Sequence, residues 1–175
     1  GPRRSAVRSR RSSVAKGCRR RGGGQRRVCA VVGAGGLTGG MCGEALNNIG
    51  AAPDRPLIIV LNDNGRSYSP TVGGFAHHLA TLRQSTMGQS TMGQSTMGEI
   101  RVACPTLFED LGLAYLGPVD GHDIDDVENA LRRAERLRRP VVVHCVTRKG
   151  NGYPPAEQDE TDCLHTVGVI DPNTG

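Results

Sequence analysis

Two loops rich in glycine and in short oxygen-bearing side chains follow apolar runs in this chain, and its chemistry is expected there. The first, GAGGLTGG at residues 33–40, comes directly after Val28-Cys29-Ala30-Val31-Val32. Its glycines let backbone N–H groups approach a phosphate at the start of a helix. The second, NDNGRSY at residues 62–68, follows Leu57-Ile58-Ile59-Val60-Leu61. Alone it reads more readily as an Asx-rich turn. The glycine loop fits neither the GxGxxG register of dinucleotide sites nor the GxxxxGK[ST] phosphate loop, so a nucleotide-binding oxidoreductase is a poor match. On neighbouring strands, the two loops can clamp a diphosphate from one side and a hard divalent metal from the other.

The elements that must position them follow from the apolar pattern. Residues 28–32, 57–61 and 141–146 are continuous apolar runs, which reads as strands buried on both faces of a parallel sheet. Cys29 and Cys145 lie inside such runs and are expected to act as small buried hydrophobes. A helix is predicted from Leu37 to Asn48, between the first two strands. A second is predicted between Asp123 and Arg139, where Ile124, Val127, Leu131, Ala134 and Leu137 recur at helical spacing. Asp123 suits its N-cap, and Pro140 stops it. The expected class is α/β: an open, mostly parallel sheet with helices on both faces, in three layers. Ligands in such sheets sit at the carboxyl ends of the strands.

Charge divides the chain unevenly. Residues 1–27 hold 11 of the 22 basic groups and no acid, so the other 148 residues carry 11 bases and all 17 acids, a net of −6. We expect a basic, disordered tail at 1–27 and a folded domain at 28–175, with no nucleic-acid partner for the folded body. Gln84-Ser85-Thr86-Met87-Gly88 recurs at 89–93 and again at 94–98, which reads as a flexible linker over 84–98. The six cysteines form no CxxC pair, which argues against a zinc or dithiol motif. Mean hydropathy is −0.36, and no apolar run is long enough to span a membrane. A reducing, cytoplasmic setting is expected, or a plastid if residues 1–27 are a transit segment.

Beyond the individual loops, four long strings resemble the diphosphate-binding domain of 1-deoxy-D-xylulose-5-phosphate synthases, thiamine-diphosphate enzymes related to transketolase. They are VVGAGGLTGGMCGEALNN, RPLIIVLNDNGRSYSPTVGGFAHHLATLR, FEDLGLAYLGPVDGHD and VTRKGNGYPPAEQDETDCLH, the last followed by IDPNTG. The resemblance implies condensation of pyruvate with glyceraldehyde 3-phosphate, for isoprenoid and thiamine precursors. It implies thiamine diphosphate and Mg²⁺ as cofactors and a dimer. Residue by residue, Gly35 and Gly36 match the phosphate turn and Asn64 a metal and diphosphate ligand. The Arg66 carbonyl matches a further metal oxygen, Tyr153 a tyrosine near the cofactor, and His165 a catalytic histidine facing the substrate.

Departures from the pattern qualify this. Where the family carries the metal-binding Asp after the first glycine, this chain has Ala34, so Mg²⁺ and cofactor binding are expected to weaken. Gly43 stands inside the first helix where the family has a bulky residue. The pyrimidine-binding domain of the family does not fit in 175 residues, so the chain alone is expected to be inactive or to need a partner that supplies it. The other reading is a non-catalytic remnant or interaction module whose basic tail binds polyanions.

Overall fold

The computed structural model describes residues 28–87, 106–166 and 168; the basic stretch 1–27 and the repeats from residue 88 lie outside the described residues. The three apolar runs form strands, and a fourth strand joins them. They are β1 Val28–Gly33, β2 Leu57–Asp63, β3 Ala114–Asp120 and β4 Val141–Val146. All pairings are parallel, in the order β1-β2-β4-β3. Sequence alone left β3 unassigned because Gly117-Pro118 interrupts it. Pro118 has no N–H to give a ladder, and it is accommodated at the sheet edge, in a register shift between Leu116 and Val119. Gly117 is obligatory there: its φ is +129°, and a Cβ would lie 2.6 Å from the His144 carbonyl oxygen.

Six helices accompany the sheet among the described residues: α1 Ala34–Leu37, α2 Gly40–Gly50, α3 Gly74–Met87, α4 Leu107–Asp110, α5 Ile124–Leu137 and α6 Pro154–Gln158. The helix predicted from Leu37 is two pieces, α1 and α2, broken at Thr38-Gly39 and beginning three residues earlier. Helix α3 was not foreseen, and it carries Gln84–Met87 of the first repeat, where a linker was expected to begin. No glycine or proline precedes Gly88 in that repeat, so nothing stops the helix sooner. Helix α5 is as predicted: the Asp123 carboxylate accepts from the Asp125 and Asp126 N–H groups at 2.9 and 3.1 Å, and Arg138 turns left-handed before Pro140.

One sheet face packs Leu57, Ile59, Leu61 and Val142 against Leu37, Leu46, Leu79, Leu82 and Phe108 from α1 to α4. Against the other face α5 seats Ala130 and Ala134 on Val141, Val143 and Cys145. These are the three layers expected. The apolar stripe of α5 is narrower than its spacing suggested, since Ile124 is 81% and Leu137 43% exposed. Cys145 is buried, but Cys29 and Val31 on β1 are exposed, contrary to the reading of β1 as covered on both sides. Helix α5 lies mainly over β3, β4 and β2. Among the described residues no helix is long and apolar enough to cross a membrane.

Candidate functional site

Beneath the carboxyl ends of the strands, three polar side chains on the α3/α4 face of the sheet form one buried line. Asp63 ends β2, His144 lies on the central strand β4 and Tyr115 on β3. His144 Nε2 is 2.9 Å from Asp63 Oδ2, and His144 Nδ1 is 2.7 Å from the Tyr115 hydroxyl. With Nε2–H donating to the carboxylate and the Tyr115 O–H donating to Nδ1, each atom of the line has a partner. Arg83 of α3 donates to Asp63 Oδ1 at 2.6 Å and the Gly65 N–H to the same oxygen at 3.1 Å. Burial alone would push the Asp63 carboxyl up. The His144 hydrogen bond, the charge of Arg83 and the Gly65 N–H outweigh it and hold the group below its ordinary range. Burial, with the charges of Asp63 and Glu109, pushes the Tyr115 hydroxyl far above its usual range. Phe108 stacks on Tyr115 with ring centroids 5.8 Å apart.

This line anchors the loop that begins at Asn62. The Thr147 N–H donates to the Asp63 carbonyl at 2.9 Å, and the Thr147 hydroxyl to Asn62 Oδ1 at 2.5 Å, tying the ends of β2 and β4 together. Lys149 reaches back from the segment after β4 to the Ser67 carbonyl. The Arg148 N–H donates to His122 Nε2, which sits past the end of β3, at 2.8 Å. These contacts frame a cleft of about 620 Å³ at the carboxyl ends of β2, β3 and β4. Asn64, Lys149, Arg148, Asn151 and Tyr153 are among the residues in its wall.

The residues singled out in the sequence fall around this cleft unequally. Asn64 and Tyr153 line it. Asn64 Oδ1 already accepts the Arg66 N–H at 3.2 Å. Gly35 and Gly36 do not line it. Gly35 instead lies against the far side of the second loop, where an added Cβ would meet Ser67 Cβ at 2.8 Å, so the two loops are adjacent as the spacing implied. The Arg66 guanidinium donates to the Thr161 carbonyl at 2.7 Å and to Cys163 Sγ at 3.4 Å, pinning the segment after α6 to the second loop. His165 lies edge-on to Tyr68, ring centroids 4.2 Å apart, and does not line the cleft. Its segment is shaped by acids. Asp159 accepts the N–H groups of Leu164 and Thr161 at 2.8 and 3.0 Å, which draws its carboxyl down to about 2. The Asp162 carboxylate accepts the N–H groups of His165 and Thr166. Sequence reasoning missed Arg148, Lys149 and His122; the signal was present in the polar string TRKGN directly after the apolar run of β4.

The donor set tests the expected metal. Magnesium takes near-octahedral oxygen coordination, commonly with one or two carboxylates. Ala34 is 2% exposed, its methyl buried in the core cluster, and among the described residues no carboxylate lines the cleft. Among the described residues no group of three or more His, Cys, Asp or Glu is arranged to hold a metal ion. The residues here do not fit Mg²⁺. They do fit an anion, because amide, hydroxyl, ammonium and guanidinium donors converge on the cleft.

A parallel sheet with helices on both faces and polar loops gathered at the carboxyl ends of its strands defines an α/β ligand-binding domain. The comparisons with known proteins narrow the class. The chain matches the sequence profile of the 1-deoxy-D-xylulose-5-phosphate synthase family over residues 5–98 and 90–147, and it belongs to that family. The match begins at residue 5, inside the basic stretch, whereas the motifs quoted above begin at Val31. Among relatives it is 54% identical over 175 residues to the 1-deoxy-D-xylulose-5-phosphate synthase of Frankia casuarinae, a match covering 87% of this chain and 27% of that protein. It is 54% identical over 169 residues to 1-deoxy-D-xylulose-5-phosphate synthase 1 of Streptomyces coelicolor, covering 84% of this chain and 26% of the relative. The enzyme of the same name from Kitasatospora griseola is 53% identical over 174 residues, covering 87% and 27%. The chain thus spans about a quarter of the length of these relatives.

Proposed function

We propose that this chain supplies the diphosphate-holding part of a thiamine-diphosphate-dependent transferase that joins a two-carbon unit from pyruvate to glyceraldehyde 3-phosphate, forming 1-deoxy-D-xylulose 5-phosphate. The observation that carries the reading is that Asn64 and Tyr153, from separate family motifs, line one cationic cleft at the strand ends. Thiamine diphosphate, when bound, supplies the electron sink for loss of carbon dioxide from a 2-oxo acid. The chain's share is placement: Asn64, Lys149 and Arg148 hold the diphosphate, and the buried Asp63–His144–Tyr115 line keeps the Asn64 loop in register. Tyr153 closes the cleft beside the cofactor, and His165 stands for the substrate side. The remaining parts of the active site come from a homodimer or a partner chain, in a cytoplasmic setting.

The test is thermal melting of the chain with thiamine diphosphate. At a hundredfold excess over Kd, linkage adds about 2.7 kcal/mol. At about 2–4 °C per kcal/mol this raises Tm by about 5–11 °C. No shift at millimolar cofactor would refute the reading. Ala34 favours the other interpretation, a remnant that keeps the fold without holding cofactor, and that absence of shift is its signature.

A further inference from the structure

The cleft that Asn64 and Tyr153 share has cations in its wall and, among the described residues, no carboxylate. Five acids of the neighbouring segments are committed elsewhere. Asp63 points inward to His144 and Arg83. Asp120 accepts the His122 N–H, and Asp159 and Asp162 cap the segment after α6. Glu157 takes the Gly152 N–H on one oxygen and faces Arg148 at 3.8 Å with the other. A divalent cation entering this cleft would meet amide and hydroxyl oxygens, an ammonium and a guanidinium, which cannot offset its charge. An anion would meet the opposite. The Lys149 ammonium is half-buried and gives one donor to the Ser67 carbonyl, so two of its three remain for a ligand. The Arg148 guanidinium is more exposed and adds a planar fork suited to phosphate oxygens.

We propose that this cleft binds a diphosphate monoester directly through Lys149 and Arg148, with no divalent cation bridging it. The inference rests on the diphosphate reading above and goes further: the charge-neutralising role given to Mg²⁺ by the family resemblance passes to two side chains of the segment after β4. The affinity then depends on salt and on those two residues, and is indifferent to chelators.

The experiment is calorimetric titration of the full 175-residue chain with inorganic pyrophosphate, in EDTA and again in millimolar Mg²⁺. Lys149→Gln, Lys149→Arg and Arg148→Gln are titrated beside the parent, and each is melted to confirm that it is folded. We expect Kd values within about twofold between the two buffers. Lys149→Gln is expected to weaken binding about tenfold to a hundredfold, as loss of a charge-assisted contact does, and Lys149→Arg to restore most of it. The cations of residues 1–27 are present in every variant, so equal binding by Lys149→Gln and the parent would place the anion on the basic stretch and overturn the inference. Binding that appears only with Mg²⁺ would overturn it too, while leaving the diphosphate reading intact. No binding by a folded chain in either buffer would overturn both.

Discussion

Replacing Asp63 by Asn tests whether the buried line beneath the cleft is structural. The Asp63 carboxylate is fully buried and accepts three hydrogen bonds, from Arg83 at 2.6 Å, His144 at 2.9 Å and Gly65 at 3.1 Å. An amide keeps one acceptor oxygen and turns a donor toward either His144 or the guanidinium. A hydrogen bond to a charged group contributes about 1.5–3 kcal/mol. Two such bonds weaken, but the Arg83 side chain is 30% exposed and recovers some hydration, which discounts its part. The expected loss is about 3–5 kcal/mol, the range for breaking a buried pair by removing one partner. At about 2–4 °C per kcal/mol, Tm falls by about 6–20 °C. Tyr115→Phe provides the internal comparison. It removes only the hydroxyl that faces His144 Nδ1 and should cost about 1–3 kcal/mol, less than the Asp63 change. Far-ultraviolet circular dichroism melts and urea titrations of both variants measure this. An Asp63→Asn protein melting within about 2 °C of the parent, or below which Tyr115→Phe melts, would refute the assignment.

The remaining expectations concern single positions and pH. Gly43→Ala should stabilise by about 0.5–1 kcal/mol, because the position is helical and an added Cβ finds nothing within 4 Å; a lower midpoint in urea would contradict this. Gly35→Ala should weaken packing between the glycine loop and Ser67, lowering Tm while leaving anion affinity in the cleft within about twofold, since Gly35 does not line it. Burial, and the neighbouring His144 and His77, hold the His78 imidazole below its usual range, and its Nε2 accepts the Leu107 N–H. Its contribution is therefore complete above about pH 6.5 and drains as pH falls toward the lower folded value. Asp63 and Asp159 are also held low, so their contributions persist to about pH 4 and are lost below it, for Asp159 as pH falls through about 2. Melting temperature against pH should show these two descents, and His78→Gln should erase the first; a profile flat from pH 7 to 3 would count against both.

What could be read in advance was whatever a single segment decides by itself. Residues 57–61 are an unbroken apolar run, 141–146 are apolar but for His144, and α5 carries its own cap, dipole-matched charges and stop, so these elements needed no neighbour to be seen. Strand β3 was hidden by Gly117-Pro118, whose tolerance depends on an edge position that only the assembled sheet defines. Helix α3 was hidden because two His and two Thr dilute the Leu79 and Leu82 that bury it. The exposure of β1 was illegible for the same reason, since which strands a lone helix covers is a tertiary fact. At the cleft, motif matching singled out Asn64 and Tyr153, which line it. It passed over Lys149 and Arg148, whose part emerges only when the ends of β2 and β4 are brought side by side.

The Asp63–His144–Tyr115 line crosses β2, β4 and β3 but stops short of β1. Three strands are therefore cross-linked beneath their main-chain ladder, while among the described residues β1 pairs with β2 alone and leaves Cys29 and Val31 exposed on one face. Opening of the sheet is expected to be graded, with the amides of β1 exchanging with solvent through local detachment at a free energy below that of global unfolding. The glycine loop at 33–40 rides on that loosely held strand, whereas the cleft is carried by the three clamped ones. The two loops touch at Gly35 and Ser67, yet they belong to parts of the domain that come apart at different energies.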